Sequence, residues 1–465
     1  MKTWYRLLPF VLLLIVSGSC TQDTLTTEPP TPRYLPSLHP VSHYPELIEG
    51  YTTYTSPLRP QTWLSRQVSI PDYGTMVPAG QSVRMVAFGG GLTAGVMNGG
   101  LYREGQQLAY PNLVAHQLGL TDFHSPLFAE HEANGTGFLL PSRTHQGEFP
   151  RWQRVSNQLA AEAPGSPASI SPYAGEVRNY AVPSGQPETP LSKSWDHGHY
   201  SFQPYLWRII PREVNATQSP LEYAQQHTPY NFVLYEDYFD NWIRGMLRIP
   251  NFNMWDFYGI TLSLGQQAIF RDSNIDNLFY EGAKGVLFTI PRYQDLAYMQ
   301  WYSLEKGNQQ VQEFVRKYRS TDHNDPSRPT YFLATTDVDR LFRGLSATLP
   351  DSAVITSFEE TLSDPEWEYG HNKRIRAVAA QRNLALVDLS AIYAQIRQGI
   401  YVTDDGLKID GSPRGNFFSS DGIYPSPIGH AVIANEVIKA INRTYQAKIP
   451  LIHVGEFANA INLKP

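Results

Sequence analysis

The hydroxyls, carboxylates and imidazoles that could do chemistry in this chain are few and scattered. Thr93 closes the run Gly89-Gly90-Gly91-Leu92-Thr93, which follows the apolar stretch 83–88. Its hydroxyl could attack an acyl group, but a threonine nucleophile needs an adjacent base to take its proton, and none is evident nearby. The ordinary role there is a first-turn helix residue bonding to backbone. Ser184 is a second hydroxyl, and its ordinary role is that of a turn residue. Asp421 and His430 bracket the segment Asp421-Gly422-Ile423-Tyr424-Pro425-Ser426-Pro427-Ile428-Gly429-His430. With no serine in hand for them to serve, a turn carboxylate and a scaffold histidine are the simpler readings. The run Trp195-Asp196-His197-Gly198-His199-Tyr200 holds a His-x-His pair beside an aspartate. Such a trio could ligate a metal, but no further ligand cluster accompanies it. No metal or other cofactor is therefore expected, and an aromatic surface loop is the better reading. His39 and His43 lie in a tether and carry little weight.

The elements that must position these residues are legible as short apolar runs. Residues 83–88, 177–182, 232–235, 285–290 and 384–389 are each bounded by polar, Gly or Pro residues and separated by helix-capable stretches. That pattern predicts an α/β fold whose parallel sheet is buried under helices on both faces. Residues 108–118 and 428–441 read as amphipathic helices, the second announced by Ser426-Pro427. Function in such sheets gathers at the carboxyl ends of the strands, where the three glycines fall. Stretches 121–175 and 187–229, rich in His, Pro, Ser and aromatics, are expected to be insertions over the same end of the sheet. The globular domain is expected to run from residue 82 to 465. No internal repeat is found.

The first residues set the expected address. Lys2 and Arg6 make a short positive region, residues 7–16 an apolar core, and Ser17-Gly18-Ser19-Cys20 a small-residue cleavage site ending in cysteine. Residues 1–20 thus read as a bacterial lipoprotein signal that leaves Cys20 lipidated. The apolar run is too short to span a bilayer, so the lipid would be the membrane anchor. Cys20 is the only cysteine, which excludes a disulfide within the chain and any thiol-metal or thiol-redox pattern. Thr21, rather than an aspartate, follows it, as expected for delivery to the outer membrane. Residues 21–81 read as a Thr/Pro-rich tether and N-terminal extension. With 37 basic against 43 acidic residues and no basic run, nucleic acid is not an expected partner. The 28 tyrosines lean toward recognition work, since tyrosine buries area while keeping a polar tip.

Taken as a block, Gly89-Gly90-Gly91-Leu92-Thr93-Ala94-Gly95 resembles Gly-Asp-Ser-Leu-Thr-Ala-Gly, the first block of the SGNH/GDSL hydrolase family. Gly99-Gly100-Leu101-Tyr102-Arg103-Glu104-Gly105-Gln106 and Tyr110-Pro111-Asn112-Leu113 are similar to the segment that follows in a lipoprotein branch of that family. Asp421-Gly422-Ile423-Tyr424-Pro425-Ser426-Pro427 resembles its last block, Asp-Gly-x-His-Pro-Ser/Thr-Pro, and residues 433–442 continue the likeness. The resemblance spans about residues 83–452, with its first and last blocks the specific ones. It implies a three-layer α/β/α sandwich and, in the family, ester hydrolysis by serine, histidine and aspartate. The oxyanion hole there comes from the nucleophile's own N–H, a glycine N–H and an asparagine amide.

Measured against that pattern, the site is degenerate. Gly91 stands where the serine belongs, and Tyr424 where the histidine belongs. A phenol with a reference pKa of about 10 is a poor general base at neutral pH. Ser184 falls near the expected glycine, although Gly185 could slip into register, and Phe239 takes the asparagine's place. Asp421 alone is retained. Loss of a nucleophile removes most of the roughly 10⁶-fold contribution of such triads, so no catalytic residue is expected and the Tyr424 and Phe239 rings are expected to fill the pocket. The reading that follows is a non-catalytic, membrane-anchored lipoprotein, a binding or assembly module for an outer-membrane protein complex or a glycan. Two alternatives stand beside it. One is an active esterase or deacetylase with a relocated nucleophile. The other is a lipoprotein that binds an acylated glycan through cleft aromatics such as Trp195, Tyr238, Trp242 and Tyr293. The aromatic clusters at 195–207, 230–242 and 293–302 serve either recognition or packing.

Overall fold

The computed structural model describes residues 44–142, 149–160, 170–183, 204–210, 219–236, 239–247, 272–319, 328–355, 357, 360, 364–366 and 370–464. Its strands are β1 (Ile48–Thr52), β2 (Met85–Phe88), β3 (Leu139–Pro141), β4 (Trp152–Val155), β5 (Phe232–Tyr235), β6 (Lys284–Phe288), β7 (Tyr331–Phe332), β8 (Val354–Ile355) and β9 (Ala385–Val387). The fold is mixed α/β around a parallel sheet in the order β2-β5-β6-β9. Every residue of β2 and β5 is buried. Because successive side chains in a strand point to opposite faces, both faces of these strands are covered. The continuous apolar runs Met-Val-Ala-Phe and Phe-Val-Leu-Tyr are the sequence counterpart of that burial.

Residues 177–182 extend the sheet along the free edge of β2. Ala87 N–H donates to Arg178 O (2.9 Å), Tyr180 N–H to Ala87 O (2.8 Å) and Val182 N–H to Gly89 O (2.9 Å). All five expected apolar segments therefore meet in one sheet. In space they run 177–182, β2, β5, β6, β9, so the chain steps to one side of β2 and then returns to the other. The topological switch point therefore falls at the carboxyl ends of β2 and β5, the place where sheets of this kind open a crevice.

The helix Pro427–Tyr445 is the longest element among the described residues and packs against β6, β9 and the helix Tyr110–Gln117. Ser426 caps it, its Oγ accepting from Gly429 N–H at 3.1 Å, and Pro427 occupies its first turn, where no N–H is missed. Ile428, Val432, Ile433, Val437, Ile438 and Ile441 are each at most 1% exposed. Each such side chain contributes about 1.5–3 kcal/mol by burial, so an aspartate at Val437 would break the layer. The expected helix over 108–118 is divided instead. Ala109, with ψ 144, leaves helical space between Arg103–Leu108 and Tyr110–Gln117.

The packed part of the chain starts earlier than residue 82. Leu47 and Met76 are fully buried, Trp63 packs edge-on against Phe457 at 5.4 Å, and Thr75 N–H donates to Tyr445 O at 2.7 Å. These anchors are too far apart in sequence to show a period, which is why 44–81 read as tether. The first part of that tether lies outside the described residues. β1 pairs in parallel with β4, and β3 in antiparallel, so the N-terminal extension and the 121–175 stretch build one three-stranded sheet. That sheet sits against the last block: Trp152 Nε1 donates to Ser420 O at 3.1 Å, and Ser420 Oγ to Leu139 O at 2.7 Å. Within 187–229, residues 219–229 are not insertion. Pro220–His227 is a core helix leading into β5, with Leu221 and Ala224 buried and a Ser219/Glu222 capping box at its start. Among the described residues, no helix is long and apolar enough to cross a membrane.

Candidate functional site

At the crevice, β2 delivers Gly89, Gly90 and Gly91, and β5 delivers Glu236. Gly91–Ala94 forms one short helical turn, closed by Gly95 at φ 92. Asp240 stands in the first turn of the helix Phe239–Met246. The two carboxylates take the backbone donors of the glycine run. Gly91 N–H donates to Asp240 Oδ2 at 2.6 Å, and Gly90 N–H to Glu236 Oε2 at 3.1 Å. Glu236 also accepts from Thr93 Oγ1 (3.1 Å) and from Phe239 N–H (3.1 Å). From the last block, Tyr424 OH donates to Asp240 Oδ1 at 2.8 Å. Backbone N–H groups at the start of a helical turn form an anion cradle. Here the anions come from the chain itself.

The three glycines are a steric requirement of that arrangement. A Cβ on Gly91 would lie 2.9 Å from Val96 Cγ2, 3.0 Å from Tyr424 Oη and 3.1 Å from Tyr424 Cε1. On Gly90 it would meet Asp240 Cγ at 2.7 Å, and on Gly89 it would collide with Thr93 Oγ1. The space that a serine side chain would need at position 91 is thus bounded by Tyr424 and Val96.

Burial governs the electrostatics. Glu236 is 1% and Asp240 3% exposed. Desolvation, and then the neighbouring Asp240 charge, push the Glu236 carboxyl up to about 7, against the pull of its hydrogen bonds from Gly90, Phe239 and Thr93. The Tyr424 phenol is driven well above its ordinary range by burial and by Asp240, so it stays a donor. Asp421 is fully buried and organises the loop, accepting from Ile423 N–H (2.7 Å), Tyr424 N–H (2.8 Å) and Gly99 N–H (2.7 Å). Burial raises it to about 6 despite those three donors.

The residues singled out from sequence come together only in part. Gly91, Tyr424, Phe239 and Asp421 meet at this one crevice. The Phe239 and Tyr424 rings lie 5.7 Å apart at 53°, both at most 2% exposed. Thr93 has a base after all, Glu236, which sequence reasoning missed. Its hydroxyl also bonds Tyr110 OH at 2.8 Å, and the residue is 0% exposed, so no acyl group reaches it. His430 is buried, accepts from Tyr110 N–H through Nδ1 at 3.2 Å, and is held down to about 3 by desolvation. It is a neutral imidazole in the scaffold.

The expectation that Trp242 and Tyr293 line a cleft is corrected: they are 4% and 1% exposed. Trp242 sits in the helix Phe239–Met246, and Tyr293 packs edge-on against Tyr331 at 5.4 Å. Tyr298 and Tyr302 are equally buried, Tyr298 N–H donating to Gly422 O and Tyr302 OH to Asp339. Of these rings, Tyr298 braces the last block, while Tyr293 and Tyr302 are packing residues of the interior. Cys20, Ser184, Trp195, Asp196, His197, His199 and Tyr238 lie outside the described residues. Among the described residues, no group of three or more His, Cys, Asp or Glu is arranged to hold a metal ion.

Asp240 and Glu236 are the site residues the sequence reading did not single out. The signal available was their position: acidic residues one and five places after a buried apolar strand. Asn179 is a third. Its Nδ2 bonds Thr93 O (3.0 Å) and Ser125 Oγ (3.2 Å), fastening residues 177–182 to the glycine turn. No family model, curated protein or solved structure matches this chain.

Proposed function

We propose that the chain is a lipid-anchored protein on an SGNH-type scaffold that no longer hydrolyses anything and acts as a binding or assembly module in an outer-membrane protein complex. The observation that carries the loss of chemistry is the bond from Gly91 N–H to Asp240. An acyl-transfer site must aim free backbone donors at a developing oxyanion. Here that donor is held by a buried carboxylate, itself latched by Tyr424. A negative charge on the spot repels a second one, so the crevice is adverse to the transition state as well as short of a nucleophile. The chain order of the sheet, with the first and last blocks meeting at one crevice, supports the scaffold assignment.

A crevice closed by its own side chains directs function to the outer surface, which supports a role in assembly over one in small-molecule turnover. The signal-like pattern of Lys2, Arg6, the apolar run 7–16 and Cys20 supports the membrane address. Purification of the full lipidated protein from its own membranes in mild detergent, with partners identified and counted, tests this reading. A stoichiometric outer-membrane partner is expected. Recovery of the lipoprotein alone would contradict the assembly role.

A further inference from the structure

A second polar centre lies away from the closed crevice, between the N-terminal segment and the helix Arg103–Leu108. A cavity of about 140 Å³ opens there, walled by Tyr54, Ser56, Tyr102, Glu104, Gln107 and Asn134 among others. A single water takes about 10–15 Å³ of such space, so a ligand of several heavy atoms fits. The aromatic wall is rigid. Tyr102 stacks on Phe138 at 4.1 Å, and Tyr54 meets the same ring edge-on at 5.1 Å.

Glu104 is 8% exposed and lines this cavity. Its carboxylate accepts from Tyr54 OH (3.2 and 3.1 Å to the two oxygens) and from Ser56 Oγ. Two hydroxyl donors leave part of a carboxylate's accepting capacity unused. Among the described residues, no Lys, Arg or His forms an ion pair with it. Arg103 lines the cavity too, yet its guanidinium donates to Phe128 O. Arg59, at the start of the helix Pro60–Leu64, makes no pair with Glu104 either. The other titratable groups facing the carboxyl are the Tyr54 and Tyr102 phenols. A buried carboxylate without a cation is costly, and in this place it borders open space.

We infer that this cavity binds a small primary amine, its ammonium group seated on Glu104 and the Tyr54 and Ser56 hydroxyls. An ammonium brings the missing charge and three donors, and the tyrosine rings offer an aromatic wall suited to a cation. Burial holds the free carboxyl up to about 7. The ammonium favours the ionised form, so binding expels a proton at acidic pH.

Calorimetric titration of the full-length protein with ethanolamine, and with ethylene glycol as the uncharged analogue, tests this. Saturable one-to-one binding of ethanolamine is expected, with none of the glycol. Affinity at pH 8 should exceed that at pH 6 by about tenfold, the factor for a carboxyl titrating near 7. Glu104→Gln should weaken binding at least tenfold at pH 8. Absence of saturable binding at pH 8, or equal affinity in E104Q, overturns the inference. Should E104Q fail to fold, the wild-type protein decides. At pH 6, close to one proton must be released per ethanolamine bound, read from the buffer dependence of the heat, and no release overturns it.

Discussion

Gly91→Ala isolates the steric argument, because it adds one carbon and nothing else. Gly91 begins the turn Gly91–Ala94 and is not among the residues with positive φ, so alanine's backbone preferences are compatible with it. In open space the change would stabilise the fold by about 0.4–1 kcal/mol, through a less free unfolded chain. The new Cβ, however, lies 2.9 Å from Val96 Cγ2 and 3.0–3.1 Å from the Tyr424 hydroxyl and ring. Overpacking in a filled core costs about 1–3 kcal/mol. The clash outweighs the entropy gain, so a net loss of about 0.5–2 kcal/mol is expected. Val96 and Tyr424 share the contact, and Tyr424 is further held by Asp240 at 2.8 Å. Tyr424→Ala should therefore relieve much of the strain, and the double-mutant cycle should show at least about 1 kcal/mol of coupling. The assay is urea unfolding followed by tryptophan fluorescence, reading the midpoint at constant slope. A Gly91→Ala protein more stable than wild type, or a cycle without coupling, would refute the packing described for this crevice.

Further outcomes follow from the same structure. Glu236 has a folded pKa of about 7 against an ordinary value near 4.5, so it is a group whose ionisation the fold opposes. Its stabilising, protonated form is fully present below the unfolded pKa and is lost as pH rises through 7, a penalty of about 3 kcal/mol by pH 8. Glu236→Gln should thus gain stability relative to wild type on going from pH 4 to pH 8, in parallel denaturant titrations; a pH-independent difference would refute this. Arg151 forms a buried two-bond ion pair with Asp339, at 2.9 and 2.7 Å. Arg151→Ala should cost about 3 kcal/mol, because it leaves the buried Asp339 carboxylate only the Tyr302 hydroxyl and the more distant Arg343 guanidinium at 3.5 Å, and a midpoint within error of wild type would count against it. Cys20→Ser should move the protein from the membrane fraction to the soluble one on cell fractionation, and persistent membrane association would contradict the lipid anchor.

Much of the scaffold was legible because it is built from features that sequence displays directly. Five apolar runs became five neighbouring segments of one sheet, and Ser426-Pro427 marked the start of the long helix. The glycine run and Asp421 fell at one crevice because strand ends and the last block converge there. What remained hidden depends on contacts between distant residues. Asp240 and Glu236 look like ordinary charges after a strand, and only the fold brings them onto Gly91 and Gly90. Trp242 and Tyr293 show aromatic character in sequence but not direction, and the structure turns both inward. The N-terminal anchors Leu47, Trp63 and Met76 stand in short apolar pairs (Leu47-Ile48, Trp63-Leu64, Met76-Val77) more than ten residues apart, so no periodicity reveals that 44–81 packs onto the domain. Phe239 was placed at the crevice for its missing donor, whereas its backbone N–H proved to be a donor to Glu236.

Whether Asp240 and Tyr424 close the site to hydrolysis is decided by exposing the purified full-length protein to a serine-directed fluorophosphonate probe. Intact-mass measurement and turnover of a nitrophenyl acetate ester would accompany it. No stoichiometric label and no turnover above buffer are expected. Labelling of one hydroxyl to one equivalent, with ester turnover abolished by the label, would contradict that closure.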